Sequence, residues 1–202
     1  MLFNSYEFIF LFLPVALLGY IALGRFSTRR IALTWLIAAS LFFYGWWNPA
    51  YLGLILGSMF FNYSVGTLLS TNSKNTNKKF VMITGVTVNI LLLAYFKYAN
   101  FFVDNINIAL DIGWNVENII LPLAISFFTF QQITYLIDTY RGETREYNFL
   151  QYALFVSFFP QLIAGPIVHH REMMPQFTRV EKFTIKYEYL AIGFSIFFLG
   201  LF

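Results

Sequence analysis

Cysteine is absent from the 202 residues, and histidine occurs only twice. The first absence excludes disulfides, thiolate metal sites and cysteine nucleophiles. The second leaves no material for a histidine-rich metal centre, so no metal is expected. Charge is scarce too: Lys, Arg, Asp and Glu make up 11% of the chain, against about 25% in a soluble domain. What is present is apolar, with 58% hydrophobic residues, 26 Phe and 13 Tyr. These proportions describe an all-α integral membrane protein, since a backbone in lipid must satisfy its own hydrogen bonds. The net charge of +3 is no sign of a nucleic-acid partner. The basic residues stand in short loops between apolar runs, where they report topology. The partner these proportions imply is the lipid bilayer.

The amino terminus, MLFNSYEF, has Glu7 where a signal peptide would carry basic residues. No small-residue cleavage pattern follows, so the first run is expected to remain as a helix. That run, Phe8 to Leu23, contains Pro14, which membrane helices tolerate when neighbours serve the freed carbonyl. Arg25, Arg29 and Arg30 separate it from a second span, Ile31 to Tyr44. Trp46, Trp47 and Asn48-Pro49 then form an aromatic turn suited to an interface. A third span, Tyr51 to Leu69, holds Gly53-x-x-x-Gly57, a pattern that permits close helix contact. Asn62-Tyr63-Ser64 reads as a glycosylation sequon but lies within this span, and is expected to be inert.

After the polar loop 70–79 comes a fourth span, Phe80 to Phe96, ended by Lys97. In residues 98–114, Asn100, Asp104, Asn107 and Asp111 share one helical face opposite Phe101, Phe102, Ile106 and Leu110. That pattern predicts a separate helix lying in the interface plane. A sixth run, Phe149 to Val168, is interrupted by Pro160 and Gly165-Pro166, and loop 169–188 after it is basic. It is expected to be a broken or re-entrant segment that returns to its starting side. The last run, Tyr189 to Phe202, is 14 residues or about 21 Å long, short of a hydrocarbon core of about 30 Å. The expectation is a truncated bundle of about six spans that ends in mid-helix.

Loop 24–30 carries three arginines, loop 70–79 three lysines, and loop 139–148 Arg141 and Arg145, while segment 97–118 has Lys97 alone. The positive-inside rule puts these basic loops in the cytoplasm and the amino terminus outside. In a bacterial cell that means a multi-pass protein of the inner, cytoplasmic membrane.

The stretch Leu121 to Arg145 is the fifth span and the most informative. Gln131, Thr134, Tyr135 and Asp138 recur at i, i+3, i+4 and i+7, on one face of a helix. Lipid offers them no partner, so the face should meet protein or a water-filled path. A packing seam between helices fits the spacing as well as a substrate path does. Asp138-x-Tyr140-Arg141 suits either a helix end or the grip on a charged donor. Ser126 and Thr129 have no base near them in sequence, so no hydroxyl nucleophile is expected. His169 and His170 read as loop histidines.

Five blocks carry a resemblance: MLFNSYEFIFLFLP, FFYGWWNPAYL, LLLAYFKYANFF, LPLAISFFTFQQITYLIDTYRGET and FFPQLIAGPIVHHREMMPQF. In this order the chain resembles the membrane-bound O-acyltransferases, most of all the alginate O-acetylation branch, with D-alanyl transferases of teichoic acid synthesis as cousins. The resemblance implies a helical bundle around a tunnel, with Gln131, Thr134, Tyr135 and Asp138 as its candidate lining. Arg141, Gly165, Pro166, His169 and Arg171 are the residues of the family-like loops. It further implies a cytoplasmic acyl donor such as acetyl-CoA, no bound cofactor, an extracytoplasmic polysaccharide hydroxyl as acceptor, and extracytoplasmic acetyltransferase partners. Members of that family are longer and carry their catalytic histidine in a carboxy-terminal half. No residue here matches it, so this chain is expected to be an amino-terminal portion, inactive alone. A non-enzymatic membrane scaffold or transport subunit is the competing class.

Overall fold

The computed structural model describes residues 2–71, 77–110, 119–143, 148–165, 173, 177 and 187–201. They form helices and short connections, with no strand among them. A π-helical segment, Glu7–Phe12, runs directly into helix α1, Leu13–Phe26. Leu13 N–H bonds to the carbonyl of Phe8, five residues back. This widened register immediately precedes Pro14, whose ring cannot return a bond to a carbonyl four residues earlier. Helix α2, Arg29–Gly45, folds back on α1. Trp35 holds the two together by donating from Nε1 to Ala16 O at 3.1 Å. Its indole lies where any side chain on Gly19 would stand.

The aromatic turn is as expected: Asn48 Oδ1 accepts from Ala50 N–H at 3.0 Å and starts helix α3, Ala50–Ser70. Ile55, Ser58, Met59, Asn62, Gly66 and Leu69 are its buried residues, a single stripe at helical spacing. Helix α4 then runs unbroken from Lys78 to Leu110. This corrects the expectation of a span ended by Lys97 and a separate interfacial helix over 98–114. A lone lysine can extend its stem along apolar surface and keep its charge in water. No proline or glycine lies between Phe96 and Leu110, so nothing there removes a backbone donor. Residues 111–114 of that expected helix lie outside the described residues.

Helix α5, Ile125–Tyr140, begins after Pro122 and a left-handed Ala124 (φ 57°). The segment before it is clamped from two sides. Asn100 exchanges two hydrogen bonds with the backbone of Ile119, at 2.9 and 3.0 Å. Tyr51 OH donates to Ile120 O at 2.7 Å. Helix α5 packs against α3, α4 and the next two helices. Those are α6, Phe149–Ser157, and α7, Phe159–Ala164. The run containing Pro160 is therefore broken, as its prolines and glycine predict. The break falls at Phe158 (ψ 107°), because Pro160 fits the first turn of α7, where no N–H is required. The first donor of α7, Phe159 N–H, is taken by Ser40 Oγ at 3.3 Å. Helix α8, Tyr187–Leu201, leaves most of its apolar side chains exposed, though Phe197 reaches Phe8.

Three helical segments are long and apolar enough to cross a bilayer: Glu7–Phe26, Ala50–Ser70 and Lys78–Ala109. Tyr187–Gly200 is apolar but shorter. With Phe10, Leu18, Phe60, Leu91 and Ile196 all exposed, this is the surface of a membrane protein.

Candidate functional site

Helix α5 is the buried axis of the molecule. Nine of its residues are buried: Ile125, Phe128, Thr129, Gln131, Gln132, Tyr135, Leu136, Asp138 and Thr139. Phe127 and Phe130 face outward. Five of the nine carry polar or charged side chains besides the Tyr135 hydroxyl, so the polar groups foreseen in this helix do turn inward. Of the predicted face, Gln131, Tyr135 and Asp138 are buried and Thr134 is half-buried. The Tyr135 ring packs 4.6 Å from that of Tyr152 on α6. It also occupies the space beside Gly66, where a Cβ would stand 2.6 Å from Cε1.

The adjacent face holds a feature that the helical spacing did not reveal. Gln132, fully buried, accepts at Oε1 from Ser58 Oγ (3.1 Å), from Asn62 Nδ2 and from Tyr152 OH (3.4 Å). Asn62 and Asn89 face each other as a reciprocal amide pair, at 3.1 and 2.7 Å. Asn62 Nδ2 also donates to Ser58 O (2.9 Å) and Asn89 Nδ2 to Gly85 O (2.8 Å). Side chains from α3, α4, α5 and α6 thus meet in one buried network. In an apolar surround these amides would otherwise lack partners, so the bonds hold four helices in a single register. Asn62 belongs to the formal sequon, and its burial keeps it from any glycosylating enzyme.

Not every buried polar atom is satisfied. Tyr44 OH, Thr129 Oγ1, Gln131 Oε1, Gln132 Nε2, Ser157 Oγ and Gln161 Nε2 have no partner among the described residues. Burying such groups without a hydrogen bond is costly, and each one calls for a reason. Four of the six lie on α5 or α6, around the same core.

The ends of the site have structural explanations. Helix α5 closes with a C-terminal motif in which Glu143 N–H bonds to Asp138 O (2.9 Å) and Gly142 N–H to Thr139 O (3.1 Å). Gly142 has φ 73°, which any Cβ would disfavour. The Asp138-to-Arg141 cluster is therefore a helix end, with Arg141 exposed. Gly165 ends α7, and a Cβ there would meet Gln161 Cγ at 2.6 Å and Cα at 2.7 Å. Pro166, His169, His170 and Arg171 lie outside the described residues. The close contacts expected of Gly53 and Gly57 are made elsewhere, by Gly19, Gly66 and Gly85. Gly53 and Gly57 instead line a groove of about 280 Å³ between α3 and α4, with Ser58 and Asn89 in its wall. No group of three or more His, Asp or Glu capable of holding a metal occurs among the described residues.

Comparison with known proteins places this arrangement. The chain is 45% identical over its full length to a peptidoglycan O-acetyltransferase of Helicobacter pylori, covering 43% of that protein. It is 40% identical to a "Probable alginate O-acetylase AlgI" of Pseudomonas aeruginosa, over 91% of this chain and 36% of the other. The protein of the same description from Azotobacter vinelandii is also 40% identical, over 88% and 36% respectively. The chain thus spans about two fifths of the length of these relatives. No solved structure matches it. The sequence profile of MBOAT, the membrane-bound O-acyltransferase family, matches residues 58–202, a stretch that includes α5 and the whole amide network. This chain belongs to the membrane-bound O-acyltransferase family.

Proposed function

We propose that this chain is the amino-terminal part of an acyltransferase domain that moves an acetyl group from a cytoplasmic thioester, acetyl-CoA, to hydroxyls of an extracytoplasmic polysaccharide. The observation that carries this reading is similarity over the whole of this chain to a peptidoglycan O-acetyltransferase, and over 91% of it to a probable alginate O-acetylase, though it covers only 43% and 36% of those proteins. The acetyl cargo is preferred to D-alanine on the same ground. In the reaction the acceptor oxygen adds to the acyl carbon and gives its proton to a general base. The carbon–sulfur bond then breaks, and the thiolate leaves with the electron pair. We assign the base to the part of the domain that this chain does not cover in its longer relatives, and infer that the chain by itself is inactive.

Its own contribution is the path. Gln131, Thr134, Tyr135 and Asp138 supply a polar lining through the middle of an apolar bundle, where an ester or thioester can travel out of contact with lipid. Arg141, exposed at the end of α5, stands on the side that the basic loops assign to the cytoplasm. There a guanidinium suits the phosphates of the donor. Extracytoplasmic acetyltransferase partners would accept the group at the far end.

The test is acetylation of cell-wall or secreted polysaccharide in a strain lacking the gene, followed by complementation. Loss of O-acetyl ester with D-alanyl ester unchanged is expected. An unchanged acetyl content would refute the enzymatic reading, and loss of D-alanyl ester alone would change the cargo. Orientation has its own test, helped by the absence of native cysteine. Ser27→Cys is expected to resist a membrane-impermeant maleimide in intact cells and to react after permeabilisation. Labelling of intact cells would invert the topology.

A further inference from the structure

The buried amide network fixes more than helix register: it fixes which way one amide points. A backbone carbonyl can only accept. Ser58 O therefore identifies the nitrogen of Asn62, at 2.9 Å, and Gly85 O that of Asn89, at 2.8 Å. With both asparagines oriented by main-chain anchors, Asn62 presents its nitrogen to Gln132 as well. Gln132 must meet it with oxygen, because a nitrogen there would set donor against donor. Ser58 Oγ and Tyr152 OH approach the same oxygen. The consequence is that Gln132 Nε2 is turned away from the network. It is fully buried and has no partner among the described residues.

A locked, buried amide donor with free hydrogens is an acceptor-binding group. The chemistry around it narrows the acceptor. No basic side chain is among the buried described residues, so an anionic ligand would be buried there without a counter-charge. A phosphate or carboxylate oxygen is disfavoured and a neutral carbonyl oxygen favoured. We propose that Gln132 Nε2 is the hydrogen-bond donor to the carbonyl oxygen of the transferred acyl group, held in aim by Ser58, Asn62, Asn89 and Tyr152. This rests on the reading of the chain as part of an acyltransferase. Gln132 gives up no proton. As the acceptor hydroxyl adds and loses its proton to the base, the carbonyl oxygen gains charge and the same bond strengthens. When the carbon–sulfur bond breaks and the thiolate departs, the oxygen returns to a carbonyl.

The experiment uses the full chain in lipid nanodiscs with acetyl-CoA labelled with ¹³C at the acetyl carbonyl, read by isotope-edited infrared spectroscopy and by titration. The wild type is expected to move the bound thioester carbonyl band to lower frequency. Gln132→Met, which keeps the length and removes the donor, should lose that shift and weaken binding about tenfold. Asn62→Ala keeps the donor but releases its aim, so its band should broaden towards the free position. It decides the matter if Gln132→Met does not fold. Binding with an unshifted carbonyl in the wild type, or an identical band and affinity in both variants, would overturn this inference alone. Failure of the wild type to bind acetyl-CoA would overturn it together with the proposed donor.

Discussion

Helices α4 and α5 both come from largely apolar stretches, yet the molecule uses them in opposite ways. Helix α4 is 33 residues long and buries Gly85 and Asn89, while α5 is 16 residues long and buries nine. In water the more apolar helix would be the core. In lipid the apolar helix already has a favourable solvent, and the helix that must be enclosed is the one with polar side chains. Helix α4 can therefore present Ile90, Leu91, Tyr95 and Phe101 outward at little cost, joining the core through Gly85, Asn89 and the half-buried Val81, Met82, Leu93 and Phe96. The polar residues of α5 make it the axis.

The comparison can be broken or sharpened by substitution. The largest effect is expected on the α5 side, from Gly66→Val. Its Cβ would enter the Tyr135 ring, which Tyr152 backs at 4.6 Å. A loss of about 3 kcal/mol should appear in unfolding titrations in mixed micelles, and an unchanged midpoint would show that α3 and α5 are not in contact. Next comes the one buried amide of α4, Asn89. Asn89→Leu leaves Asn62 without its reciprocal partner and should cost about 1–2 kcal/mol. Thr87→Val, two residues away on the exposed face, should leave stability unchanged. Equal effects from the two would erase the distinction drawn for α4. A smaller loss, about 1 kcal/mol, is expected for Gly142→Ala, because φ 73° is unfavourable for any residue with a Cβ. The smallest belongs to Gly53→Ala. No atom lies within 4 Å of the added methyl, so the midpoint should shift by less than about 0.5 kcal/mol.

How much of this could be read beforehand depended on whether a residue leaves a periodic trace. Gln131, Thr134, Tyr135 and Asp138 recur at helical spacing, so their inward face was legible. Gln132 sits one position, about 100°, from Gln131 and falls off that stripe. Its partner Asn62, and Asn89 which pairs with Asn62, stand in two different apolar runs with no pattern to join them. Asn62, inert as a sequon, is central to the network. Only tertiary structure brings residues 58, 62, 89, 132 and 152 together. Local chemistry served better at breaks. Pro160 and Gly165 marked the interruption between α6 and α7, though the first-turn tolerance for proline moved the break to Phe158. Lys97 misled, because a snorkelling lysine is compatible with a helix that continues. Gly53-x-x-x-Gly57 was a weak signal: a small-residue pattern permits close approach without requiring it, and the close contacts fell to Gly66 and Gly85.

The most direct test of the account is a pair of single cysteines on α5, at Gln131 and Phe130, each carrying a nitroxide in a lipid bilayer. The two positions are neighbours in sequence, yet Gln131 is buried and Phe130 exposed. If α5 is the enclosed polar axis, the label at 130 will collide freely with oxygen dissolved in lipid, and the label at 131 will be shielded from it. Equal oxygen accessibility at both positions would mean that the polar face meets lipid, and the central claim would be wrong.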